Sequence, residues 1–530
     1  MKRRQFIKGA AVLGLATGTS TTSALAADAT AATRAYPADV PVPIAAAVAR
    51  FRQTIPAHFD KTYVDNAVIP FFLTSLYEGE RPLLPIIDVA LSKENALPHD
   101  LWGLIYKDWR PTPEEGSTVF LQGLEKRGDD NLRKRIYFAA VTPDLYKPMY
   151  QEKVVAFFDR ILDKKYANKP FMRHYLDYYF DIYWDLHLGV NGDAIPPQVR
   201  EIGEAFNTVL AYRNPLDPMV YENYMKVRQH LDFLKKWIDD RVSDINSGRT
   251  PHPEKTMAWY WLKNAGDGTH FGVKDIVFEC FHNFVAFSQW GNSIYGIMSR
   301  LSEQGGDAKV RDVFKATMSG DYDNRGDGVY TPLELLVMEL FRTISPNGGS
   351  ISSVVDARNS AYGESPHARF GLPFERHSFI VTPHVTTNNN PTLWHEPEQF
   401  DPDRYRDVPT SADITEEKIQ GMGLARCPFH ITSVDVSDGR NVSITNSGFG
   451  TVFATVEGKP KPVCDYAGFA PFGFSYRRCP GEQLTIQVFE DFLRKVSRDN
   501  ITFYKLKMAT HGRVPIGPGA VINDDIGFKR

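Results

Sequence analysis

The chain has 530 residues, 42% hydrophobic and 24% charged, with a formal net charge of −3. That is ample apolar material for a large folded core, which excludes a core-poor disordered chain. The mildly acidic balance gives no electrostatic footprint for nucleic acid. Aromatic residues make up 12% of the chain, which suits a large apolar cofactor pocket without specifying one.

At the N-terminus, Arg3-Arg4-Gln5-Phe6-Ile7-Lys8 precedes a weakly apolar run from Gly9 that ends in Ala24-Leu25-Ala26. The pattern reads as a twin-arginine signal with a small-residue cleavage site after Ala26. The glycine and alanine content makes the run a poor spanning helix, so a cleaved signal is preferred to an anchor. The expected destination is the bacterial periplasm, and the expected partner in export is the twin-arginine translocase. Removal of residues 1–26 takes Lys2, Arg3, Arg4 and Lys8 and no acid, moving the charge from −3 to −7.

The mature chain, 27–530, reads as one domain, with no Pro/Gly/Ser-rich linker, charge block or internal repeat dividing it. Residues 27–66 read as an exposed, partly irregular lead-in. From about 67 to 345 the apolar periodicity predicts helices, for example over Gln151–Lys164, Met219–Val242 and Asp307–Met318. His377–Val385 reads as a strand. Ile431–Val456 alternates apolar and polar residues around Asp438-Gly439, a hairpin signal. The fold class expected is mainly α with minor β-sheets.

Four cysteines are present, at 280, 427, 464 and 479. Cys280 lies inside an apolar helical run and reads as core. Cys427 and Cys464 flank a strand-like segment; a disulfide between them and two thiols are both open readings. Cys479 sits in Phe472-Gly473-Phe474-Ser475-Tyr476-Arg477-Arg478-Cys479-Pro480-Gly481, ahead of a helix expected over Glu482–Val496. A thiolate there meets the positive end of a helix dipole and free backbone N–H groups. That environment suits a sulfur ligating haem iron, whose chemistry is set by axial ligand and sulfur hydrogen bonds. The competing reading is a buried, inert cysteine.

The loop resembles the haem-ligand loop of the cytochrome P-450 superfamily, Phe-Gly-x-Gly-x-Arg-x-Cys-x-Gly. Phe472, Gly473, Arg477, Cys479 and Gly481 match it; Ser475 stands where the family has glycine. The resemblance implies a single large P-450-like domain that binds haem b through the Cys479 thiolate, with Arg477 directed at a propionate and Phe472 and Gly481 beside the ring. Two further segments resemble the family's Glu-x-x-Arg helix and Pro-x-x-Phe-x-Pro-x-Arg stretch. These are Glu339-Leu340-Phe341-Arg342 and Pro397 to Arg404, and the likeness implies a buried triad of Glu339, Arg342 and Arg404. Asn131 to Val141 resembles the helix that sends a basic residue to the haem, with Lys134 or Arg135 as that residue. The span from Arg404 to Cys479 is long for the family and predicts an insertion within about 407–464.

Asp275–Leu301 is apolar on most sides and matches in position the family's central helix over the haem. The family's monooxygenases carry an acid and an alcohol there for proton delivery. This chain has Phe287-Ser288-Gln289-Trp290-Gly291-Asn292, with tryptophan in place of the acid and glycine in place of the alcohol. The stretch has a slight likeness to the allene oxide synthase and hydroperoxide lyase branch, which makes Ser288, Gln289 and Asn292 the candidates for holding a peroxide oxygen. Asp323 to Gly328 partly matches a calcium loop, but Arg325 opposes a cation, and a polar turn before the Thr331 helix is the preferred reading.

Three functions follow. The first is a haem-thiolate enzyme using peroxide or an organic hydroperoxide on a small apolar, lipid-derived substrate. The second is a reductant-dependent monooxygenase fed by an exported redox partner. The third is a non-catalytic haem protein that binds or senses a ligand.

Overall fold

The computed structural model describes residues 42–64, 68, 132–212, 214–266, 271–328, 330–353, 379–389, 391, 394–406, 430–435, 441–446, 452–456, 459–461, 469–473, 479–507 and 512–530. The readings on residues 1–26, Cys427, Cys464, Ser475 and Arg477 lie outside these.

The helices form where apolar periodicity and end signals coincide. In chain order they are α1 (Val42–Arg52), α2 (Leu132–Ala139), α3 (Gln151–Ile161), α4 (Phe171–Leu188), α5 (Pro197–Tyr212) and α6 (Pro218–Asn246). There follow α7 (Met257–Asn264), α8 (Val273–Leu301), α9 (Ala308–Ser319), α10 (Pro332–Ile344), α11 (His384–Asn388) and α12 (Glu482–Arg498). Asp217 caps α6 by accepting from Met219 N at 2.9 Å, with Pro218 at the first helical position. Thr331 and Glu334 form a reciprocal capping box on α10, at 3.1 and 2.8 Å.

The strands are short and all antiparallel. β1 (Gly349–Ser353) pairs with β2 (Phe379–Pro383). β3 (His430–Asp435), β4 (Asn441–Asn446), β5 (Val452–Val456) and β6 (Lys459–Lys461) form a meander in sequence order. Its first hairpin pairs Asp435 with Asn441, on either side of the predicted Asp438-Gly439 turn, which itself lies outside the described residues. This sheet lies in the predicted insertion, and β3 packs beside α2. β7 (Thr502–Lys505) pairs with β10 (Ile526–Lys529), and β8 (Arg513–Gly517) with β9 (Ala520–Asn523).

One continuous apolar core runs through α2 to α8, α10, α12 and the C-terminal strands. A second, smaller cluster of Tyr330, Leu335, Met338, Trp394, Tyr405 and Phe469 covers another face of α10, and Phe472 touches both. The lead-in departs from the expectation of an exposed segment. It contains α1, and Phe59 and Tyr63 are buried against Tyr221 and Tyr224 of α6, with ring centroids 4.6 and 4.9 Å apart. Among the described residues no helix is long and apolar enough to cross a membrane.

Candidate haem-thiolate site

The loop before α12 is closed by backbone bonds. Gly473 adopts φ +78°, a conformation that favours glycine, and its N–H donates to Ala470 O at 3.1 Å. Cys479 N donates to Phe472 O at 2.9 Å, bringing the two ends of the loop together. Cys479 is half-buried and not in a disulfide, two residues before the N-cap Gly481 of α12. A sulfur there lies by the positive end of the α12 dipole. Gly481 has φ −86°, so its backbone does not demand glycine. A Cβ built on it would meet one described atom within 4 Å, the Cys479 sulfur at 3.7 Å. Among the described residues no other atom lies within 4 Å of that position, which leaves room beside the sulfur for a planar group. Phe472 packs on Phe341 of α10 at 5.2 Å.

Behind this loop stands a buried charge cluster. Glu339 Oε2 and Oε1 accept from Arg342 Nε and Nη2, both at 2.7 Å, and Oε1 also accepts from Arg404 Nε at 3.1 Å. Tyr405 OH and Asp401 N complete the carboxylate shell at 2.9 and 3.0 Å. The side chains of Glu339, Arg342 and Arg404 are 0%, 0% and 6% exposed. Arg342 further donates to Asn388 O at 2.8 Å, and Asn388 Oδ1 accepts from Ala470 N at 2.6 Å. Two bonds thus connect the triad to the base of the Cys479 loop.

The central helix α8 meets α12 through Trp290, whose indole N–H donates to Thr485 Oγ1 at 3.4 Å, one turn into the cysteine helix. The same face of α8 carries Asn283, which accepts from Tyr137 OH of α2 at 2.8 Å. Just after α2, Pro143 O accepts from Gln487 Nε2 at 3.1 Å and Tyr146 OH donates to Asp491 at 2.7 Å, both on α12. Helix α8 is therefore bonded to α2, and α8 and the segment after α2 are both bonded to the first half of α12. Tyr137 titrates well above the usual phenol range, first because it is buried, then because of the negative charges of Glu279 and Cys479. Glu279, fully buried, lies one turn before Asn283 with the imidazole of His282 at 3.6 Å.

At roughly 100° per residue, Ser288, Gln289 and Asn292 point about 140°, 120° and 180° away from Asn283. Ser288 is buried, and its carbonyl backs onto Gly517 of β8. Gln289 Oε1 accepts from Asn292 Nδ2 at 3.4 Å, and Asn292 also donates to Pro346 O at 3.2 Å, beyond α10. These three are therefore not on the face that meets Tyr137 and Thr485. Gly291 has a packing reason: a Cβ there would lie 2.7 Å from Ile516 O and 3.2 Å from Tyr175. Lys134 and Arg135 lie within α2, and their side chains are outside the described residues.

The sequence reading missed Tyr137, Asn283 and His187. Asn283 is fully buried, and its Nδ2 lies 3.3 Å from His187 Nε2, while His187 Nδ1 lies 2.8 Å from Tyr183 O. The available signal was an amide next to Glu279 and His282 within a mainly apolar helix, since a buried polar group must find partners. At the calcium-like loop, Asp323 is held by Arg494 at 2.6 Å and Asn324 caps its own turn through Gly326 N at 3.0 Å. Among the described residues no group of three or more His, Cys, Asp or Glu is placed to hold a metal ion.

No family model matches the sequence, and no curated protein matches it. Solved structures do. A zebra fish cytochrome P450 solved with progesterone aligns at TM-score 0.53 and 11% identity, over 83% of this chain and 89% of its own. A cyanobacterial cytochrome P450 with retinoic acid bound aligns at 0.51 and 13%, over 82% and 85%. The chain has the fold of a single-domain cytochrome P450, mainly helical with small antiparallel sheets, at a sequence distance where the fold alone is shared.

Proposed function

We propose that this protein is a haem-thiolate oxidoreductase in which Cys479 is the axial ligand of haem b. The observation that carries the reading is the placement of Cys479. It is half-buried at the dipole end of α12, beside the space at Gly481, and braced from behind by the Glu339, Arg342 and Arg404 cluster. When bound, the haem would supply redox chemistry. The protein's own part is to hold the sulfur as a thiolate and to orient substrate. Arg477, with Lys134 or Arg135, is the proposed clamp on the propionates.

The oxidant we propose is hydrogen peroxide or an organic hydroperoxide. Phe287 to Asn292 lacks the acid and alcohol pair that relays protons to dioxygen. The proposed twin-arginine export route ends in the periplasm, away from the cytoplasmic pool of reduced nicotinamide. The proposed substrate is small, apolar and lipid-derived, a reading supported by the retinoic acid and progesterone in the two similar structures. Purified, haem-loaded protein mixed with fatty-acid hydroperoxides in the absence of reductant tests this. Turnover supports it, and no turnover across a panel refutes it. Turnover only with an electron donor and dioxygen selects a monooxygenase with a redox partner. Tight ligand binding without turnover in either regime selects a binding or sensing protein.

A further inference from the structure

Helices α3 and α4 run antiparallel, since Lys153 meets Asp185 at one end of their contact and Arg160 meets Asp181 at the other. Between them lies a groove of about 320 Å3, within the size range of small-molecule sites. It extends over Glu152 to Arg160 of α3, about 12 Å at the rise of a helix. Its middle is apolar, formed by Ala156 with the buried side chains of Phe157 and Ile182. The turn that carries Pro251 and Lys255 borders the end nearer Glu152.

Among the described residues, the charges along the groove pair off with one cation to spare. Lys153 Nζ reaches Asp185 Oδ1 at 2.8 Å and donates to the carbonyls of Asp185 and Lys255, both at 2.8 Å, so its three N–H groups are spent. Asp185 Oδ2 also accepts from Asn191 at 3.0 Å. Asp181 accepts from Arg200 of α5. Glu152 accepts from Lys255 Nζ at 2.8 Å, which leaves two Lys255 N–H groups unspent. His252, exposed at the rim, has Glu254 beside it at 3.3 Å. Each carboxylate thus has its own cationic partner. Arg160 has no such anion: its contact with Asp181 Oδ2 is 3.6 Å long, too far for a hydrogen bond, and Asp181 is already held by Arg200. The Arg160 side chain is 50% exposed, so the guanidinium is open to a ligand.

The groove therefore offers an unused guanidinium fork at one end, ammonium N–H groups at the other and an apolar floor between. A guanidinium fork matches the plane of a carboxylate and binds it through two parallel hydrogen bonds. A cationic ligand would find Asp181 and Asp185 already neutralised. We propose that the groove between α3 and α4 is a binding site for an elongated dicarboxylate, with one carboxylate on the Arg160 fork, the other on Lys255, and the chain between them over Ala156, Phe157 and Ile182. The site is separate from Cys479 and does not depend on the haem reading.

The test is calorimetric titration of the haem-loaded full-length protein with nonanedioate, whose extended chain suits the length of the groove. Nonanoate loses the bond to Lys255 and propanedioate loses the reach and the apolar contact; each is expected to bind about tenfold more weakly or worse. Arg160→Gln and Ala156→Trp, the second of which fills the groove from an exposed helix position, are each expected to weaken nonanedioate at least tenfold, with the far-UV circular dichroism unchanged. Cys479→Ser is expected to bind it as the wild type does. No binding at millimolar nonanedioate overturns the proposal without any variant. Binding that survives both groove variants, or that is lost in Cys479→Ser, places the ligand elsewhere and overturns it equally. Tighter binding of the diamine of the same length would reverse the assigned sign of the site and also overturn it.

Discussion

Glu339→Gln isolates the cluster behind the cysteine loop. Glu339 Oε1 accepts from Arg342 Nη2, Asp401 N and Arg404 Nε, and Oε2 from Arg342 Nε and Tyr405 OH. An amide keeps the volume, but in either orientation its NH2 faces at least two of those donors. It also leaves two guanidinium groups inside the protein without their anion. Removing one partner of such a buried pair costs about 3–5 kcal/mol, set against a total stability of order 5–15 kcal/mol. Urea unfolding followed by far-UV circular dichroism reads this as a lower midpoint at unchanged slope. Lys236→Ala is the control: its pair with Asp240 is surface-exposed and worth no more than about 0.5 kcal/mol. A loss below about 1 kcal/mol for Glu339→Gln would refute the account of how the loop is braced.

Gly291→Ala pushes a Cβ against Ile516 O and is expected to cost about 1–3 kcal/mol in the same unfolding assay, because strand β8 cannot retreat without disturbing the core; a neutral effect would show that α8 and β8 are not in contact. Glu490 has its pKa raised to about 7, chiefly by burial and next by the charge of Glu334, from 4.5. The folded state therefore holds a proton that the unfolded chain has lost, and this contribution, full below about pH 4.5, disappears as pH rises through about 7. Glu490→Gln should flatten the decline in stability between about pH 4.5 and 7, where the slope from one group is at most about 1.4 kcal/mol per pH unit. The neutral, buried His187 and His384 act in the opposite sense below about pH 6.5, so the quantity read is the difference between Glu490→Gln and the wild type at each pH. An unchanged slope contradicts the assignment.

The elements that sequence predicted well are those specified by local chemistry. The Thr331–Glu334 box and Pro332 mark the start of α10, and the pairing of β3 with β4 brackets the Asp438-Gly439 signal. The Glu339, Arg342 and Arg404 cluster was readable because three motifs arrive in order. What was not readable depends on contacts between distant parts of the chain. Tyr137 meets Asn283 across 146 positions, and Asp60 meets Tyr221 across 161. Gly291 read as a missing alcohol, whereas its neighbour is Ile516 of a strand near the C-terminus. Ser288, Gln289 and Asn292 were chosen from a short run in which every polar residue looked equivalent. Only the helix rotation, set by Trp290 against Thr485 and Asn283 against Tyr137, separates the face toward α12 from its opposite.

The most direct measurement is the carbon-monoxide spectrum of the reduced, haem-loaded protein beside that of Cys479→Ser. The account predicts a thiolate-type Soret band in the wild type and its loss in the variant, with weaker haem retention. Identical spectra from the two proteins, or a wild type that stays colourless after reconstitution, would contradict it.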